Sequence, residues 1–323
     1  MSADLVDVHR HTMPRTVLDF LRSRREPPFL DGGFVRCTPG FGYRLTPEMT
    51  DLAANLEEMA GAGVRTALLS VIVGIVDQLP AAQATALAKD VNDEMCDLAR
   101  AHPGVLAPMS TLPLADPEAA AEELLRANGL GLRGPLLPVT VGGRQLGELG
   151  LDPLFEAADA TGTPLTLHPT APAFASHFGD YALMSTLAFP VDTTACVLRL
   201  VLGGLYERWP GIRMVVPHAG SLLPYLMGRI DREATKYRAS GAMGALSEPP
   251  SVWLRRMYVD AISLWPPTIR LLLDVMGPDR VMFGSDYPFW NTRENAEALA
   301  AVTDDERIRA GNARTLYHLG AAP

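Results

Sequence analysis

Eight short β-branched runs alternate with eight helical stretches along this chain, and that order admits few folds. The runs are residues 5–9, 65–71, 105–110, 131–137, 164–168, 212–217, 257–260 and 281–284. Between them, apolar residues recur at helical spacing, with Leu52, Leu56 and Met59 within 47–61 and Leu87, Val91, Met95 and Leu98 within 81–101. Further helical stretches cover 116–127, 152–161, 193–208, 222–240, 267–276 and 294–301. Strand–helix units in series build a parallel sheet, and eight of them predict a sheet that closes on itself. The expected fold is α/β, a (β/α)8 TIM barrel. The 323 residues, 48% of them hydrophobic, suit a single such domain over 1–323. Residues 27–47 after strand 1 and 170–191 after strand 5 read as long loops, a length that in compact domains goes with binding function.

The net charge of −9 argues against a nucleic-acid partner, which needs a basic stripe. Cys37, Cys96 and Cys196 show no CxxC spacing, as expected of a reducing compartment. No basic and apolar leader opens the sequence, and no apolar run reads as long enough to span a bilayer. A cytoplasmic protein without a membrane partner is the expectation.

Five polar residues stand where strands end. His9 and His11 flank Arg10, and residues two apart in a strand share a face, so both imidazoles are expected at the barrel mouth. His168 ends strand 5 just before Pro169. It is either a core histidine or a third ligand, and the neighbouring pair favours the ligand. Asp286 follows strand 8 in Gly284-Ser285-Asp286 and would add an anionic ligand that can also accept a proton. His218 ends strand 6 and is the candidate for proton transfer, with a further metal ligand as its other reading. Imidazole and carboxylate suit zinc or a similar divalent ion such as manganese. Of the other histidines, His102 is expected to cap a helix, His318 to pack, and His177 to lie in the strand-5 loop, where it could reach substrate. Phe41, Tyr43, Phe174, Phe178, Trp265 and Trp290 follow strands and could wall an apolar pocket, with Trp290 the one expected to meet substrate.

These residues carry a family likeness. The stretches Phe189-Pro190-Val191-Asp192-Thr193-Thr194, Gly203 through Pro210, His218-Ala219-Gly220, Gly228-Arg229-Ile230 and Phe283 through Phe289 resemble the amidohydrolase superfamily, in its aminocarboxymuconate semialdehyde decarboxylase-like branch. The resemblance implies a distorted barrel and one divalent metal, usually zinc, held by His9, His11, His168 and Asp286. It implies that His218 acts as acid/base. It also implies two arginines on a substrate carboxylate. Arg36, with Arg44 in reserve, matches the first; Arg229 matches the second, and its bland reading is a helix-surface salt bridge. In the semialdehyde decarboxylase the second arginine enters the neighbouring subunit's site, so the likeness implies a homodimer. Dinuclear members carry a lysine after strand 4. Here 132–138 has none, and Lys89 and Lys236 lie elsewhere, so a mononuclear site is expected.

The expected activity is metal-dependent, nonoxidative decarboxylation of an unsaturated or aromatic carboxylic acid. No organic cofactor is expected. Hydrolysis of a lactone, ester or amide, or hydration of a double bond, would use the same groups. A silent barrel acting as a binding protein is the reading from another class.

Overall fold

A computed structural model describes residues 4–238 and 246–320. Its eight parallel strands are β1 (Leu5–Thr12), β2 (Val64–Val71), β3 (Leu106–Pro108), β4 (Leu136–Pro138), β5 (Pro164–His168), β6 (Arg213–Val216), β7 (Tyr258–Asp260) and β8 (Val281–Met282). β1–β3 form one sheet and β4–β8 another, each with neighbours in chain order. Two seams join them. Between β3 and β4, Ser110 bridges Pro135, with Ser110 N–H donating to Gly134 O (2.8 Å) and Leu136 N–H to Ser110 O (3.2 Å). Between β8 and β1, Arg10 bridges Tyr287, and Val8 N–H donates to Phe283 O (3.0 Å). The sheet thus closes into the distorted barrel that the alternation predicts.

Side chains alternate between two cores. In β5, Leu165 and Leu167 belong to the large outer core beneath the helices, while Thr166 faces inward and meets the Tyr317 hydroxyl at 2.8 Å. Val6, Val8, Leu68, Leu136, Val215 and Met282 fill the barrel beside Tyr317. In β1 the pattern changes phase. The three steps from Asp7 to Arg10 oppose the two from Ala67 to Leu69, a β-bulge. The extra residue moves the inward set from Val6 and Val8 to His9 and His11, and turns Arg10 outward.

Arg10 is fully buried there. Its guanidinium donates to Asn55 Oδ1 (2.6 Å), Glu58 Oε2 (2.6 Å), Thr292 Oγ1 (3.1 Å) and Asp7 Oδ2 (3.4 Å), and lies 4.0 Å from the centre of the Tyr287 ring. A bulky charge between paired histidines is accommodated because it belongs to the opposite face, where it ties β1 to the helices Leu52–Ala62 and Thr292–Ala300.

Several boundaries differ from the sequence expectation. The fourth strand starts at Leu136 and not at 131, because Gly131 is the left-handed C-cap (φ 95°) of the helix Pro117–Leu130. The expected helix 193–208 runs as Phe189–Leu202 and Leu205–Arg208, broken at Gly203-Gly204. The expected helix 222–240 is observed as Leu223–Tyr237; its last two residues, like the ends of the expected domain 1–323, lie outside the described residues. The expected loop 27–47 holds an antiparallel sheet of Phe29–Asp31, Phe34–Thr38 and Phe41–Arg44. The expected loop 170–191 ends in a π-helical turn, Met184–Ala188, that runs on into the next helix. That continuous segment, Met184–Leu202, is 19 residues long and apolar enough to qualify as a membrane span by length and composition, which corrects the sequence expectation. Its buried Asp192 accepts from Thr140 Oγ1 and Gln145 Nε2 (both 2.7 Å), a tie to the barrel loops that a core-packed helix makes.

Replacing Arg10 with Leu strands the buried Asp7 carboxylate. The unfolding free energy should fall by about 3–5 kcal/mol, the cost of breaking a buried ion pair. Denaturant titration of both proteins checks this. A loss below about 1 kcal/mol would mean that Ser285 and the His9 N–H, which also donate to Asp7 (2.6 and 3.1 Å), satisfy the carboxylate without the arginine.

Candidate active site

The strand ends bring His9, His11, His168 and Asp286 together. One ligand atom from each lies within 4.8 Å of all the others, and all four residues are buried. Three imidazole Nε2 atoms face one carboxylate oxygen: Asp286 Oδ1 is 3.1 Å from His11, 3.4 Å from His9 and 3.9 Å from His168. The other oxygen, Oδ2, is 3.3 Å from His218 Nε2. Asp286 therefore divides its two oxygens between the cluster and His218.

The far nitrogens explain why Nε2 points inward as a lone pair. His9 Nδ1 meets Asp260 Oδ2 at 2.9 Å, and His168 Nδ1 meets Pro169 O at 2.8 Å. Both partners only accept, so each Nδ1 carries the proton. His11 Nδ1 is 2.9 Å from Ser70 Oγ, whose own hydrogen goes to Arg10 O at 3.0 Å, so the serine accepts here too. The Nε2 atoms of His9 and His168 are buried with no hydrogen-bond partner. An orphaned buried lone pair is costly unless a cation takes it. The donor set therefore fits one divalent metal ion, with outer partners already orienting the rings.

Electrostatics agrees at two of the three histidines. Burial holds the imidazolium of His11 down to about 3 and lowers His168 as well, which keeps both neutral. Burial also acts to lower His9, but Asp286 and Asp260 outweigh it and raise the group. Burial alone would raise Asp286. The rings of His9, His11, His168 and His218 gathered around it hold it well below the usual carboxylate range instead.

His218 sits on a turn that ordinary residues avoid. It has φ 56°, and Ala219, Gly220 and Ser221 follow at 54°, 70° and 56°. Left-handed backbone at consecutive non-glycine residues costs about 1–3 kcal/mol each and persists only where neighbours enforce it. Asp260 does so: its Oδ1 accepts from Ala219 N–H at 3.0 Å while its Oδ2 holds His9. A Cβ on Gly220 would meet Val259 and Pro224 at 3.3–3.4 Å, so the turn needs that glycine both for its φ and for space.

The cluster opens into a cavity of about 900 Å³. Phe41, Tyr43, Trp265 and Trp290 line it, as the sequence suggests, and Phe189 and Phe289 join them. Phe174 and Phe178 do not; they pack against each other. Arg36, Arg44 and Arg229 do not line the cavity either. Arg36 is half exposed, pairs with Asp31 at 3.5 Å and stacks on Phe34. Arg44 ends the same small sheet, and Arg229 is exposed on the helix Leu223–Tyr237. His102 takes a helix C-cap as expected. His177 is exposed away from the cavity wall. His318 is exposed at φ 52°, a correction to the packing role expected for it. Asp260 and Ser70 escaped the sequence reading. Asp260 ends β7 as His168 ends β5, so the strand-end pattern could have found it; nothing marks Ser70.

The amidohydrolase family profile matches residues 6–319. Gamma-resorcylate decarboxylase of Rhodococcus jostii is 30% identical, over 89% of this chain and 93% of its own length. The 2-amino-3-carboxymuconate-6-semialdehyde decarboxylase of Dictyostelium discoideum is 24% identical, over 88% and 81%. Among solved structures, 5-carboxyvanillate decarboxylase of Sphingomonas paucimobilis superposes with a TM-score of 0.89 at 26% identity, over 99% of this chain and 100% of that one. A barrel of the expected order and a profile spanning nearly its whole length lead to one conclusion: the chain belongs to the amidohydrolase family.

Proposed function

We propose that this protein catalyses the metal-dependent, nonoxidative decarboxylation of an aromatic or unsaturated carboxylic acid. The observation that carries the reading is Asp286, one oxygen turned to three inward imidazoles and the other to His218 at the wall of an apolar cavity. His9, His11, His168 and Asp286 would hold the ion, zinc foremost and manganese as its alternative. A bound divalent ion supplies positive charge that orients and polarises the oxygens of an acid substrate.

The remaining work falls to the chain. Loss of CO2 from R–COO⁻ needs one proton at the carbon that bore the carboxylate. The C–C electron pair stays with that carbon until the proton arrives, and R–H and CO2 result. His218 Nε2 is the group placed to deliver that proton, and its side chain keeps 18% exposure, enough to recharge from water. Asp286 Oδ2 positions the ring. The cavity walls exclude water from the carbanion-like centre. Curated relatives named as decarboxylases support the reaction class. Arg36 and Arg44 take no part in this reading, because neither lines the cavity; Arg229, which the likeness assigns to the neighbouring subunit's site, keeps that proposed role from its exposed place on the helix Leu223–Tyr237.

Elemental analysis and CO2 release test the reading together. About one divalent ion per chain and CO2 from an aryl acid are expected; two ions, or acid release without CO2, would move the assignment to hydrolysis. His218→Asn should keep its metal and lose about 10²–10⁴ in kcat. Loss of the metal in that variant would make His218 a ligand. Asp260→Asn should weaken metal binding about 10–100-fold with the circular dichroism unchanged. Competition with a chromophoric chelator measures it, and unchanged affinity would refute the orienting role of Asp260.

A further inference from the structure

A second cavity lies at the other end of the barrel. It occupies about 330 Å³ among the early residues of β2 and β3, the segment that leads into β4, and the helices Ala81–Ala101 and Pro117–Leu130. In parallel strands those are the ends remote from the His9, His11, His168 and Asp286 cluster. Its lining is mostly apolar, with Ala99, Leu106, Ala107, Leu130 and Leu319. A void of about 150 Å³ takes a benzene ring, so one ring with a small substituent fits here. Arg100 and Arg133 are its cations, and among the described residues no aspartate, glutamate or lysine lines it.

Arg133 contrasts with Arg10. Arg10 spends its guanidinium on Asn55, Glu58, Thr292 and Asp7. The backbone of Arg133 is fixed, its N–H donating to Pro108 O at 2.9 Å. Its side chain nevertheless has no hydrogen-bond or ion-pair partner among the described residues, although its Nε is buried. Burying a nitrogen of a cation without an acceptor is costly. The other side-chain donors of the lining are already used. Cys96 Sγ donates to Leu130 O (3.3 Å) and Thr66 Oγ1 to Gly104 O (2.7 Å). Arg100 is mostly exposed and gives Nη1 to Asp97 (2.9 Å), which leaves the rest of its fork at the rim. Arg229, which the likeness assigns to the neighbouring subunit's site, belongs to the helix after β6, and no described residue of that helix lines this cavity.

We infer that this cavity is a second ligand site, separate from the metal-binding end, for a small monocarboxylate with an apolar body of about one ring. The guanidinium charge is spread over three nitrogens, so one carboxylate at its fork offsets all of it, the share on the buried Nε included. The apolar walls take the body of the ligand. Residues at the N-terminal face of such a barrel ordinarily serve stability. An arginine that served stability would hold partners, as Arg10 does, and Arg133 holds none.

Calorimetric titration of the metal-loaded full chain with benzoate, and with benzamide as its uncharged counterpart, tests the site. Benzoate should occupy one more site per chain in the unaltered protein than in Arg133→Met. At that site it should bind about tenfold or more tighter than benzamide, the scale of a hydrogen bond to a charged group. Ala99→Leu narrows the cavity without altering charge and should weaken the same site. Denaturant titration separates a ligand role from a structural one. Replacing an unpartnered cation with an apolar side chain of similar length should leave the unfolding midpoint unchanged or raise it, the reverse of Arg10→Leu. Equal benzoate stoichiometry in the unaltered protein and Arg133→Met, or benzamide binding as tightly as benzoate, would overturn the inference. A lowered midpoint for Arg133→Met would overturn it as well, by making the arginine structural.

Discussion

The seam between the last strand and the first is the constraint on which the site depends. Asp286 N–H donates to His9 O at 2.7 Å and His11 N–H to Tyr287 O at 2.9 Å. These backbone bonds close the barrel and, in the same act, bring residues 275 positions apart into side-chain contact. The bulge in β1 complements the seam. Without the extra residue between Asp7 and Arg10, both histidines would face the helices and the arginine would face the barrel. Arg10 then acts as an anchor for that phase, because its many partners are all on the helical side.

Much of this was legible in advance. His9, His11, His168, His218 and Asp286 are visible because strand ends in a closed parallel sheet converge on one face, so five positions scattered along the sequence need no alignment to be grouped. What stayed hidden has physical reasons. The small antiparallel sheet within 29–44 has strands of three to five residues, too short for a period to show. The fourth strand begins later than the sequence suggests, because Leu132 has a strand-like character but is buried beside the C-cap of the preceding helix. Ser70 acts through its hydroxyl on a histidine that another strand supplies, a relation fixed by register alone.

The arginines illustrate a different limit. Arg36 and Arg44 match a family pattern by position, but position in a loop does not determine where a side chain ends. Arg36 is engaged with Asp31 and Phe34 on the outside of its sheet. The wall facing the cavity is left to aromatic side chains, whose rigid rings keep their shape at little entropic cost. Apolar wall and charged floor meet at Phe289, which packs on His11.

Asp260 spans the two halves of the site, one oxygen on His9 and one on the backbone of the His218 turn. The histidine cluster and the His218 turn thus share a mechanical link beside the one that Asp286 makes. Substitutions on either side of it should be epistatic: the effect of altering one half will depend on the state of the other. Divergence of this barrel toward new chemistry is then constrained to paths that keep or replace that carboxylate first, since neither half can drift alone.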